Sequence, residues 1–176
     1  MKKDIVFDVD GVLLSYMETF VPWMEREHNI KNIGSPFPRP TYHHLQDTFP
    51  GTDVCSYIEK MSQEPIFSQM SPIPGAIKGL KEISKFFNIH AVTSAGKSPL
   101  TTEYRLKNLQ DVFNWQDDWP LHVIGLNESK LYHLSQFKPE TIFVDDYIKN
   151  IKTALECQLD PIWFKADERH YLLDPE

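Results

Sequence analysis

The sequence predicts an α/β fold, a Rossmann-like parallel sheet with flanking helices and a small helical cap inserted after the first strand. Three observations carry this prediction. Short apolar runs recur along the chain, and each ends in a small or polar residue. Segments with helical spacing lie between them, and this alternation is the pattern of a parallel sheet covered on both faces. One long stretch near the N-terminus breaks the rhythm.

The first apolar run, Ile5-Val6-Phe7, ends in Asp8-Val9-Asp10-Gly11 and reads as a buried strand followed by a glycine turn. Ile89-His90-Ala91-Val92 ends at Thr93-Ser94, and His122-Val123-Ile124 ends at Gly125. Thr141-Ile142-Phe143-Val144 ends at Asp145-Asp146, and Pro161-Ile162-Trp163-Phe164 ends at Lys165. Ile77, Leu80, Ile83 and Phe86 mark one apolar helix face. Tyr104, Leu106, Leu109 and Phe113 mark a second, and Ile148, Ile151, Ala154 and Leu155 a third.

Residues 15–72 form the interruption. One helix is expected near Tyr16 to Glu27 and another near Asp53 to Met61, separated by Gly34-Ser35-Pro36-Phe37-Pro38-Arg39-Pro40. An insertion of roughly 55–60 residues is unlike an ordinary crossover. It reads as a cap over the strand ends, and Pro72-Ile73-Pro74-Gly75 turns the chain back. The expected organisation is a catalytic core of residues 1–14 and 73–176 with a helical cap of residues 15–72.

Composition narrows the function. The 176 residues are 41% hydrophobic and 24% charged, enough apolar material for a core, and the net charge is −7. That balance argues against duplex nucleic acid or an anionic membrane as partner, since both need clustered Lys and Arg. A small phosphorylated ligand needs only local positive charge. The two cysteines, Cys55 and Cys157, are too far apart for a thiolate metal or redox motif. No stretch approaches spanning length, and the N-terminus lacks a leader pattern. The expectation is a cytoplasmic protein; a homodimer is compatible with it.

In a parallel sheet, ligands bind at the C-terminal strand ends. Here those ends carry Asp8, Asp10, Thr93, Ser94, Asp145 and Asp146. So many carboxylates at one rim require a cation, and oxygen donors suit Mg²⁺, with Asp8, Asp10, Asp145 and Asp146 as candidate ligands. Asp8 is placed to attack phosphorus, and Asp10 to protonate the leaving oxygen and later deprotonate water. The latter role needs a raised pKa, which crowding and burial supply. Thr93 or Ser94 offers a hydroxyl and an N–H to a phosphoryl oxygen, and Lys130 offers positive charge, with Lys97 and Lys138 as alternatives. Asp146 has a second reading as the cap of the helix after it. Tyr16 and Phe67 are the candidates for stacking a nucleobase, core burial being the alternative, while Trp23, Phe37 and Tyr42 read as cap core. His43 and His44 are adjacent and poorly placed to share one metal.

Phe7-Asp8-Val9-Asp10-Gly11-Val12, Val92-Thr93-Ser94, Lys130 and Ile142-Phe143-Val144-Asp145-Asp146 together resemble the four ordered motifs of the haloacid-dehalogenase-like superfamily. The resemblance implies Asp8 as nucleophile, Asp10 as acid and base, Thr93 with Ser94 and Lys130 as phosphate ligands, and Asp145 with Asp146 at Mg²⁺. Tyr16, Pro72-Ile73-Pro74-Gly75-Ala76 and Thr93-Ser94 are also similar to the 5′(3′)-deoxyribonucleotidase branch. That likeness implies a nucleoside monophosphate substrate and a second basic residue after the Thr-Ser motif, for which Arg105 or Lys97 must serve. A sugar phosphate or other small metabolite is the alternative substrate, and a non-catalytic binding protein on the same scaffold the alternative class. Dehalogenation does not need the acidic pair.

Overall fold

The structure is a computed structural model, and it describes residues 2–32 and 45–164. The Pro-rich segment from Gly34 to Pro40, with Phe37, Tyr42, His43, His44 and Lys165, lies outside the described residues. Five parallel strands form one sheet in the order β3-β2-β1-β4-β5. They are β1 (Lys3–Phe7), β2 (Phe87–Ser94), β3 (Leu121–Ile124), β4 (Ile142–Asp145) and β5 (Asp160–Trp163). β1 lies at the centre because its run Ile5-Val6-Phe7 is buried on both faces. Its register, Phe7 beside Ala91 and Val144, ends β1 and β4 within a residue of each other, while β2 runs on to Ser94. The strand order reverses between β1 and β4, so the crevice expected of an open α/β sheet opens beside Asp8 and Asp145. Pro161 sits on the edge strand β5, where its missing N–H costs least.

The cap leaves and rejoins the core at one place. Leu14 and Pro72 form an isolated antiparallel bridge, flanked by Ser15 N–H to Ser71 O at 2.8 Å and Ile73 N–H to Leu13 O at 2.9 Å. Between them run α1 (Tyr16–His28), the single turn α2 (Leu45–Thr48), α3 (Val54–Ser62) and a 3₁₀ turn (Pro65–Ser68). α1 buries Tyr16, Phe20, Trp23 and Met24, the spacing of one helix face, and ends at Asn29 in the left-handed region. α3 starts where the Asp53 carboxylate accepts from the Ser56 N–H, an N-cap that satisfies one orphan donor. Cap and core residues share one apolar cluster, in which Phe20, Trp23 and Phe67 join Phe7, Ile89 and Leu109. No helix among the described residues is long and apolar enough to cross a membrane.

The core helices are α4 (Ala76–Ile83), α5 (Pro99–Phe113), the single turn α6 (Leu131–Leu134) and α7 (Ile148–Glu156). All three expected apolar faces need correction. α4 stops at Ile83, so Phe86 leaves the helical register and is 67% exposed; Ile77 is exposed too, and Leu80 is the buried residue of that helix. In α5 the buried face is Thr101, Arg105, Asn108 and Leu109, not the run through Tyr104 and Leu106. This face is largely polar because it meets the cap's backbone and Asp10, as described below. In α7, Ile151 and Ala154 are buried and Leu155 is exposed.

Candidate active site

Asp8 follows directly on β1, and its N–H donates to Val144 O at 2.8 Å, so the strand pairing continues up to this residue. Asp145 ends β4 next to it. Lys130 lies between the two carboxylates, its Nζ 2.7 Å from Asp8 Oδ1 and 2.8 Å from Asp145 Oδ2. It is 1% exposed. Lys97 is turned outward in an ion pair with Glu128, and Lys138 is exposed. Burial opposes the charge on Lys130, but Asp145 and Asp8 overcome that cost and hold its pKa above the ordinary lysine range.

Asp145 accepts three hydrogen bonds from protein donors. Its Oδ1 accepts the Tyr147 N–H at 2.7 Å, and its Oδ2 accepts from Lys130 and from Asn150 Nδ2 at 3.0 Å. Asp146 differs. Its carboxylate accepts no hydrogen bond among the described residues, and it does not cap α7, whose N-cap is Tyr147. Its main chain is tied down, since Asp146 O accepts from Trp163 Nε1 at 3.0 Å. Burial, then the charges of Asp8 and Asp145, push the Asp146 carboxyl well above its ordinary pKa. Burial likewise raises Asp145 to about 6 against the pull of Lys130.

Asp8, Asp145 and Asp146 each bring one oxygen within 4.8 Å of the others. Like charges at that spacing repel by about 3 kcal/mol per pair at an effective dielectric near 20. One lysine cannot neutralise three carboxylates. Gly11 makes room for the third: its φ is +81°, and a Cβ there would stand 2.2 Å from Asp146 Oδ2. A glycine is needed both for the turn and for that approach. The all-oxygen donor set, the unpartnered Asp146 and the glycine cradle together fit a hard divalent cation such as Mg²⁺.

The raised pKa values give this fit a thermodynamic test. The folded-state values of Asp145 and Asp146 lie above the ordinary 3.8. Their contribution to stability is therefore full below about pH 4 and is lost as pH rises through about 6 and beyond. The metal-free protein is expected to melt higher near pH 5.5 than near pH 7.5. Mg²⁺ should raise the midpoint chiefly at the higher pH, and Asp146→Asn should flatten the slope. A midpoint at neutral pH that ignores both Mg²⁺ and Asp146→Asn contradicts the site.

Asp10 corrects one expectation. Its carboxylate is not in the metal cluster; it is turned to Arg105, with Nη2 2.6 Å from Asp10 Oδ2. Among the described residues, Arg105 is the buried cation within hydrogen-bond distance of this side chain. Burial raises its pKa to about 6, against the opposing charge of Arg105 and with the charge of Asp8 adding to it. Asp10 Oδ1 is buried and has no hydrogen-bond partner. Thr93 Oγ1, at the end of β2, is in the same condition, whereas Ser94 is half-buried.

The substrate-facing candidates need correction too. Tyr16 is 5% exposed and stacks on Phe20 at 5.4 Å between centroids, and Phe67 is fully buried beneath Arg105 at 4.1 Å. Neither ring presents a free face, because both fill the seam between cap and core. Arg105 itself is fully buried and committed to Asp10, so it is not open to substrate. Asn150 was missed in the sequence. It lies in the first turn of α7 and donates back to Asp145, a position with no motif signal of its own.

No protein-family model matches the sequence, and no curated protein matches it. Solved structures do. An L-2-haloacid dehalogenase matches with a TM-score of 0.56 at 14% identity, over 92% of this chain and 83% of its own. A hydrolase from Streptococcus pneumoniae TIGR4 matches at 0.55 and 17% identity, over 99% of this chain and 100% of its own. A HAD family enzyme from Bacteroides thetaiotaomicron, in complex with magnesium and inorganic phosphate, matches at 0.51 and 14% identity, over 97% and 99%. This chain shares the fold of these solved structures.

Proposed function

We propose that this chain is a Mg²⁺-dependent phosphomonoesterase that works through an aspartyl-phosphate on Asp8. The supporting observation is the pairing of two carboxylates in opposite conditions at one strand end. Asp8 is ion-paired with Lys130, and Asp10, two residues on, has a pKa raised to about 6 and an unpartnered buried oxygen. A carboxylate held by a buried lysine suits the nucleophile, and a carboxyl whose burial favours its protonated form suits the acid. An oxygen of Asp8 forms a bond to phosphorus while the ester P–O bond breaks. The leaving oxygen takes its proton from Asp10. Water then attacks phosphorus and gives a proton to Asp10, which releases inorganic phosphate and restores Asp8. Lys130 and the unpartnered Thr93 hydroxyl stabilise the charge on the transferring phosphoryl oxygens. Mg²⁺, held by Asp8 and Asp146 with Asp145 beside them, would supply Lewis-acid screening between anionic nucleophile and anionic ester.

The motif likeness favours a nucleoside monophosphate as substrate. The burial of Tyr16 and Phe67 favours the second reading, a sugar phosphate or other small metabolite, because neither ring is open to a base. The structural likeness to a dehalogenase adds a different chemistry, but a carbon–halogen bond needs neither the unpartnered Asp146 nor the cradle at Gly11. The test is phosphate release from nucleotides, sugar phosphates and p-nitrophenyl phosphate, with and without Mg²⁺. Metal-dependent release from at least one ester is expected. No release from any of them, with halide release from a 2-haloacid, would replace this reading.

A further inference from the structure

α5 presents a polar face to the cap, and Thr101 and Asn108 on it have hydrogen-bond partners there. Thr101 Oγ1 and Ser62 Oγ, from α3, lie 2.9 Å apart. Asn108, two turns further on, receives the Met70 N–H at 3.2 Å and donates to Met70 O at 3.1 Å. Arg105 sits between these two anchors. Its guanidinium carbon lies over the Phe67 ring, 4.1 Å from the centroid, and Nη1 is 3.6 Å from Met70 Sδ. The one strong hydrogen bond it makes is to Asp10 Oδ2. A planar fork clamped on its face and along its edge has little freedom to swing, which a lysine in its place would have.

We propose that Arg105 is a positioning residue for Asp10: braced by the cap, it holds Oδ2 and so keeps Oδ1 as the oxygen presented to the leaving group. The proposal rests on the phosphomonoesterase reading. It differs from the role that the motif likeness implied for Arg105, that of a second basic residue binding the substrate. Asp10 stands on a loop at the end of β1, and among the described residues Arg105 is the only hydrogen-bond donor to its carboxylate. With Arg105 removed, the carboxyl would be free to rotate, and its proton would no longer be delivered along one line. The cap residues Phe67, Met70 and Ser62 thereby act on the chemistry through α5 without touching the substrate.

A purely structural role and a positioning role differ in leaving-group dependence. An alkoxide leaves only with its proton, whereas p-nitrophenolate leaves without one. Comparison by kcat/KM isolates the step in which the ester bond breaks; hydrolysis of the aspartyl-phosphate is common to both substrates. The experiment measures kcat/KM of wild type, Arg105→Gln and Arg105→Lys on the best alkyl phosphate and on p-nitrophenyl phosphate. General acid catalysis is typically worth about 10²–10⁴-fold. In Arg105→Gln the alkyl ester is therefore expected to lose about tenfold or more beyond whatever the aryl ester loses. Arg105→Lys, which keeps the buried charge, should shift the ratio in the same direction by less, and it carries the comparison alone if Arg105→Gln does not fold. Equal losses on both esters, or an unchanged ratio, overturn the proposal. Failure of the phosphomonoesterase reading is a distinct result: wild type itself would hydrolyse neither ester.

Discussion

Asp8→Asn is expected to abolish turnover while the protein stays folded. The amide has the same shape but no anionic oxygen with which to attack phosphorus, and loss of a nucleophile commonly costs on the order of 10⁴-fold or more in kcat. Folding should tolerate the change. Asp8 is one of three carboxylates converging within 4.8 Å, so removing its charge relieves two repulsions while Lys130 keeps Asp145 as a partner. Phosphate release and a thermal melt measured on the same sample separate the two effects. The metal-free variant should melt no lower than wild type. Activity within about tenfold of wild type would show that phosphorus is attacked by another group, because an amide cannot form the phosphoenzyme.

Lys130→Met should damage both catalysis and stability. Its ammonium bridges Asp8 and Asp145 from a fully buried position. Truncating one member of a buried ion pair leaves the other charges uncompensated, at a cost of about 3–5 kcal/mol. kcat/KM should also fall by about 100-fold or more, since one preorganised donor at a developing charge is typically worth that much. The two losses respond differently to metal. Mg²⁺ can neutralise the stranded carboxylates, so it should restore part of the melting temperature. It cannot replace the lysine at the phosphoryl group, so activity should stay low. A variant with unchanged melting and less than about threefold loss of kcat/KM would move the role away from Lys130.

Much of this architecture was legible because it depends on local chemistry. The apolar runs ending at Asp8, Thr93-Ser94 and Asp145-Asp146 became β1, β2 and β4, and the parallel sheet brings their ends together. The cap helices near Tyr16 and Asp53 follow from one-face burial and an N-capping carboxylate. Helix faces were less legible wherever the neighbour was not apolar. An apolar count over α5 passes over Arg105 because a buried arginine resembles an exposed one in sequence. Its burial depends on a carboxylate from β1 and a ring from the cap, both remote along the chain.

The sequence by itself determined the strand ends, the acidic residues gathered there and the class of chemistry they suit, because residue type and alternation are local properties. Only the tertiary structure decided what each residue meets. It gave Lys130 to Asp8 and Asp145, left Asp146 open beside Gly11, and turned Asp10 to Arg105. It also buried Tyr16 and Phe67. The physical reason is that a carboxylate's role is set by the charge, donor or cavity nearest to it. Those neighbours come from other strands and from the cap, at separations along the chain that no local pattern encodes.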